Sequence, residues 1–170
     1  GDMAMRASWG DDSRFMLSVG GFHPRYSPPK GFPKLDRVKA SLSSPGGNPR
    51  LEYTGYVAVT PNTFQVGAGA LLHGEFGPAT VHGELSFDAL FRFNPFEFVV
   101  DFYAKISVKI KGKGLGLELD GTLKGPQPYR VRGKLSIDVL FISVTVKVNA
   151  KFGSSGGSTE LPTADVLTEL

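Results

Sequence analysis

The chain has 170 residues, no cysteine and a formal net charge of +3, which excludes disulfides, thiolate metal sites and thiol nucleophiles. The charge does not argue for nucleic acid, where a larger basic excess gathered on one face is expected. No apolar run approaches the roughly 18 residues of a membrane-spanning helix, so no transmembrane segment is expected.

Residues 1–13, opening Gly1-Asp2-Met3-Ala4-Met5, read as an expression scar or leader ahead of the domain. They carry no secretory signal, and localisation stays undetermined. Residues 14–152 are expected to form one antiparallel β domain. Phe15, Leu17 and Val19 suggest a first strand, and Val38, Ala40 and Leu42 a second. Leu51 to Val59 and Phe64 to Leu72 continue the period-two pattern. From Phe96 the even positions run Phe98, Val100, Phe102, Ala104, Ile106, Val108, Ile110, with Glu97, Asp101, Lys105 and Lys109 between them. A strand sorts those residues onto two faces, whereas a helix scatters them. Leu115 to Leu123, Val131 to Phe141 and Val144 to Phe152 read the same way. Turn signals such as Thr60-Pro61-Asn62, Asn94-Pro95, Gly112-Lys113-Gly114 and Gly125-Pro126 separate the runs. Strand is expected over at least roughly 45% of the chain, with no helix beyond about two turns between residues 14 and 152.

Val81 to Phe91 and Val131 to Phe141 match at seven of eleven positions, each copy preceded by a Gly-Pro turn. This hairpin repeat suggests duplication of a hairpin pair rather than a solenoid. At Phe141-Ile142 the phase breaks without Gly, Pro or Asn, which predicts either a bulge or an unusually tight turn. Residues 153–160 read as a Gly/Ser linker, and 161–170 as the start of a C-terminal helix capped by Thr163.

With one apolar face per strand, the expected fold is an all-β, curved or barrel-like antiparallel meander of long strands with that short helix. The large residues of the repeat strands, Phe87 and Ile137 among them, predict a self-filled interior without an acyl-sized cavity. If residues 111–114 and 124–128 are loops, Lys105, Asp120 and Arg132 should form one cross-strand row, and Ser107, Glu118 and Lys134 the next.

No catalytic, cofactor or metal site emerges. His23, His73 and His82 share no ligand spacing, and no GxSxG elbow occurs. Gly112 to Gly116 lacks the helix of a phosphate loop. Asp88 and Asp138, equivalent in the repeat, read as solvent-face copies, and the basic residues of the C-terminal strands as a solvated charge ladder. The stretch Gly20 to Pro33 is too rich in Pro and Gly for regular structure yet carries aromatics. Phe22, His23, Pro24, Tyr26 and Phe32 are therefore the candidate interaction loop.

Gly20-Gly21-Phe22-His23-Pro24 with Pro28-Pro29 and Gly31-Phe32-Pro33 resembles the hallmark of a family of large, uncharacterised bacterial β-rich proteins. Ala58 to Thr63, Phe87 to Phe91, Leu123 to Pro126, and Leu161-Pro162 with Asp165-Val166 carry the same resemblance. It implies a bacterial origin and a module of a longer chain, and transfers no mechanism. The expected role is a non-enzymatic structural or protein-interaction module whose partners are other domains of the same chain or a separate protein. The alternative is binding of a lipid or other hydrophobic ligand in a β trough.

Overall fold

The computed structural model describes residues 1–10, 14–153 and, as backbone, 163–169. Eleven strands form one antiparallel sheet: β1 (Met3–Ser8), β2 (Arg14–Val19), β3 (Val38–Ser43), β4 (Arg50–Thr60), β5 (Thr63–Phe76), β6 (Ala79–Phe93), β7 (Phe96–Ile110), β8 (Lys113–Gly125), β9 (Tyr129–Val139), β10 (Ile142–Phe152) and β11 (Thr163–Glu169). From β4 onward each strand pairs with its sequence neighbours, as short turns dictate. Strand exceeds the expected share, and no helix occurs among the described residues.

Two expectations are corrected. The sheet does not close: β1 and β11 stand at opposite ends of the strand order, so it is an open sheet and not a barrel. The C-terminal segment is a strand, not a helix, with Thr163–Glu169 paired along β10 from Asn149 to Ser143. A helix this short is marginal alone, three of its seven residues (Thr163, Val166, Thr168) are β-branched, and the edge of β10 offers backbone groups that need partners. Met3–Ser8, inside the stretch read as a leader, pairs with β2. The Gly/Ser linker beyond residue 153, residues 161–162 and residue 170 lie outside the described residues.

The loops are tighter than the sequence reading had them. Val139 pairs with Ile142, leaving Leu140 and Phe141 as a two-residue turn with Leu140 at φ 55°. Thus the phase break is a tight turn, not a bulge. Ile110 pairs with Lys113, so Lys111 (φ 51°) and Gly112 (φ 81°) alone make the β7–β8 turn, the backbone of a primed hairpin turn. That shifts the register by two residues. Lys105 faces Glu118, with Nζ 2.9 Å from Oε2, and Glu118 faces Ser136; Tyr103 faces Asp120, which faces Lys134. The predicted Lys105–Asp120–Arg132 row does not form. Because the slip is even, no side chain changes face.

The register sorts every strand the same way. One face carries Leu51, Tyr53, Val57 and Val59 of β4, the even residues of β5, β7 and β10, and the odd residues of β6, β8 and β9. Apart from Lys113 beside the turn it holds no charged residue. No described residue covers this apolar face. Leu85 is 60% exposed, Ile106 54%, and Phe87 and Ile137 about 40% each. The expected self-filled core is therefore wrong: an open sheet has no facing strands to interdigitate with. Seven strands at ~4.8 Å spacing and ~40 Å length leave more than ~1,000 Å² of continuous apolar surface, beyond what a soluble monomer ordinarily exposes.

The buried core sits on the opposite, charged face. β2 pairs with Val57 to Val59 and β3 with Arg50 to Gly55, so the two lie end to end along one edge of β4. Residues 20–37 leave the sheet between them and fold over the charged face. Beneath lie Met16, Ser18, Tyr56, Ala58, Gln65 and Leu90, all buried. Gly20 makes the departure possible. Its φ is 76°, and a Cβ there would stand 2.4 Å from the Gly55 carbonyl oxygen.

Candidate functional site

The loop over residues 20–37 is fixed by polar contacts at its base. Gln65, wholly buried, accepts a hydrogen bond from His23 N at 2.9 Å and donates to Thr63 Oγ1 at 2.9 Å. Thr63 Oγ1 in turn lies 2.7 Å from Thr60 Oγ1. His23 Nδ1 accepts from Arg25 N at 3.0 Å, which places the ring proton on Nε2, 4.0 Å from Asp101 Oδ2. Asp101 Oδ1 takes the Arg25 guanidinium at 2.7 Å and the Thr122 hydroxyl at 2.6 Å. The node thus joins the loop to β5, β7 and β8.

A second clamp closes the exit. Arg37 donates to the carbonyls of Gly20 (3.1 Å) and Phe22 (2.9 Å) and lies 3.6 Å over the Tyr56 ring. The other side of that ring crosses Gly67, where a Cβ would meet Tyr56 at 2.2 Å and the Asp88 carboxylate at 2.7 Å. Burial, then the neighbouring Asp88, push the Tyr56 phenol well above its ordinary range. Gly67→Ala should displace the ring, cost about 1–3 kcal/mol and loosen Arg37. The check is a urea titration alongside the rate of proteolysis within residues 20–37.

The sequence singled out Phe22, His23, Pro24, Tyr26 and Phe32, and the structure brings three of them, Phe22, Tyr26 and Phe32, together. Phe22 packs on Tyr26 at 5.1 Å and on Phe32 at 5.2 Å, edge-on, and the Arg6 guanidinium lies 5.8 Å over Phe32. Pro24 is exposed. His23 is 1% exposed and faces inward, so it presents nothing to an outside partner. His73 and His82 stand opposite each other on the charged face, each beside a glutamate, far along β5 and β6 from His23. Among the described residues no three ligand-type side chains converge on a metal position. Asp88 lines the node while Asp138, bound by the Ser143 hydroxyl at 2.6 Å, sits near the far end of β9. The two are not a pair.

The described residues offer three surfaces: the aromatic loop, the charged face and the apolar face. A family model described as a family of unknown function (DUF6603) matches residues 1–168. The chain belongs to that family. No curated protein and no solved structure matches it. In this DUF6603 chain the feature that sequence reasoning missed is an aromatic row at one rim of the apolar face. Phe64, Phe91 and Phe98 follow one another at 6.3 and 6.1 Å, and Tyr129 and Phe152 continue at 6.1 and 5.4 Å. Gly125 of β8 leaves the room that lets Phe98 reach toward Tyr129, since a Cβ there would strike the Phe98 ring at 2.1 Å.

The node also sets a pH dependence. Burial holds the His23 pKa below its ordinary 6.5, against the raising pull of Asp88 and Asp101, while Arg25 adds to the lowering. An opened loop then binds the proton more readily than the closed one. Loop stability is complete above pH 6.5 and falls as the pH drops through and below that value. Protection factors of residues 20–37, which are corrected for the slower chemical exchange at lower pH, should fall as the pH drops through and below about 6.5; in His23→Gln that fall should vanish.

Proposed function

We propose that this domain is a non-enzymatic binding module of a longer bacterial chain, and that its apolar sheet face takes the acyl chains of lipids. What carries the reading is the face running the length of the strands, uncharged but for Lys113 and covered by no described residue. A protein interface of that area has about one hydrogen bond per 100–200 Å². Tyr53 and Tyr129 are the sole described strand side chains on this face, Lys113 aside, with a polar group to offer. An acyl chain needs no such group, and it gains free energy from every apolar Å² it covers.

The backbone edge of β11, paired with no further described strand, favours a second reading, in which another domain or protein adds a strand or stacks a sheet on the face. Native mass spectrometry and solvent extraction of the purified protein separate the two. Co-purified acyl lipids, with affinity for a fluorescent fatty acid that rises once they are removed and the protein is refolded, support the first. A lipid-free protein that doubles its mass supports the second.

A further inference from the structure

On the charged face Lys105 lies between Glu84 and Glu118, and Asp120 faces Lys134, although Asp88 faces Asp101 and Lys134 faces Lys147. One end carries three cations in a row. Lys124 stands opposite Arg130, and Arg130 opposite Lys151. Like charges placed directly across a sheet repel, and the nearest carboxylates are committed elsewhere. Glu97 is held by Arg92 at 3.2 Å, and Asp101 by Arg25 at 2.7 Å. All three cations are exposed, and none is in an ion pair among the described residues. Beside them lies a groove of about 450 Å³ whose walls include Arg25, Arg92, Lys124 and Arg130.

The aromatic row occupies the opposite face of this same end, with Phe98, Tyr129 and Phe152 each one residue from Val99, Arg130 and Lys151 respectively. A nucleic acid strand would need cations and rings on one face to contact both. A bilayer that receives the end of the sheet contacts both faces at once. A tyrosine settles at headgroup level, phenylalanine rings at the boundary between headgroups and acyl chains, and long basic side chains extend to the phosphates.

We propose that this end of the sheet docks on an anionic lipid bilayer, with Lys124, Arg130 and Lys151 facing lipid phosphates and the row from Phe64 to Phe152 seated at the boundary between headgroups and acyl chains. Docking there delivers an acyl chain onto the apolar face without passage through water. In that respect it deepens the lipid-binding reading, although it rests on different residues.

The test is co-sedimentation with vesicles of phosphatidylcholine alone and of phosphatidylcholine with roughly one-third phosphatidylglycerol, against two triple variants. The parent should bind the anionic vesicles at least tenfold more tightly than the neutral ones. K124E/R130E/K151E should lose about a hundredfold, at roughly fivefold per cation, with an unchanged circular dichroism spectrum. K109E/K111E/K113E, which makes the same change in net charge at the other end, should lose less than a third as much on a logarithmic scale. Should the first triple fail to fold, K151E alone carries the test with an expected loss of about fivefold. Equal binding to both vesicles, binding to neither, equal loss in both triples, or displacement by millimolar inorganic phosphate would overturn the docking. Fatty-acid uptake, measured on the same proteins, tests the other reading separately. Uptake without vesicle binding sinks the docking alone, and vesicle binding without uptake sinks the acyl-chain reading alone.

Discussion

Leu85→Thr, Ile106→Thr and Leu117→Thr combined will leave the domain folded and weaken its binding of a fluorescent fatty acid by about a hundredfold. Ile106 and Leu117 are register partners, and Leu85 lies on the adjoining strand of the same face. All three are 41–60% exposed. Covering such a half-open side chain with an acyl chain contributes about 1 kcal/mol, so losing three amounts to about 3 kcal/mol, or two decades in Kd. Threonine keeps the strand preference of a β-branched residue. Stability should therefore move by less than about 1 kcal/mol in a denaturant titration. A drop of several kcal/mol with binding intact would mean that these residues belong to a packed core.

The faces of the sheet were legible because period-two alternation survives any even slip. The stripe from Phe98 to Ile110 was assigned correctly even though its pairing with β8 was displaced by two residues. The displacement came from the turn: Lys111 and Leu140 adopt left-handed φ, a conformation that lysine and leucine seldom take, so composition points to longer loops. Alternation states which face is apolar but not what lies over it. That is why a self-filled core was expected where the structure leaves an open surface. The candidate loop was visible in its own residues, Phe22, His23, Tyr26 and Phe32. Its partners Gln65, Asp101 and Thr122 were not, since they stand on three other strands and are joined to it only by folding. One signal was available. Met16, Tyr56 and Leu90 are large apolar or aromatic residues on the otherwise polar stripe, and such phase violations mark where a polar face is covered.

That covered patch is where the largest loss of stability is expected. Gln65→Ala removes the acceptor for His23 N and the donor to Thr63 Oγ1 from a site with no solvent access. A buried N–H left without a partner costs about 1–3 kcal/mol, and the space vacated by the side chain adds to it. The total should reach about 3 kcal/mol. Because the loop also rests on Arg25–Asp101 and on Arg37 against Tyr56, the effect should be local before it is global. Proteolysis within residues 20–37 and loss of amide protection at His23 should appear well below the unfolding midpoint, while amides of β7 and β8 stay protected. Gln65→Glu separates the two contributions. It keeps the volume and an acceptor for His23 N but buries a carboxylate, so its cost should rise with pH as that group ionises in the folded state's disfavour. If Gln65→Ala is as stable as the parent and its loop exchanges no faster, the loop is held by its aromatic cluster rather than by the polar node.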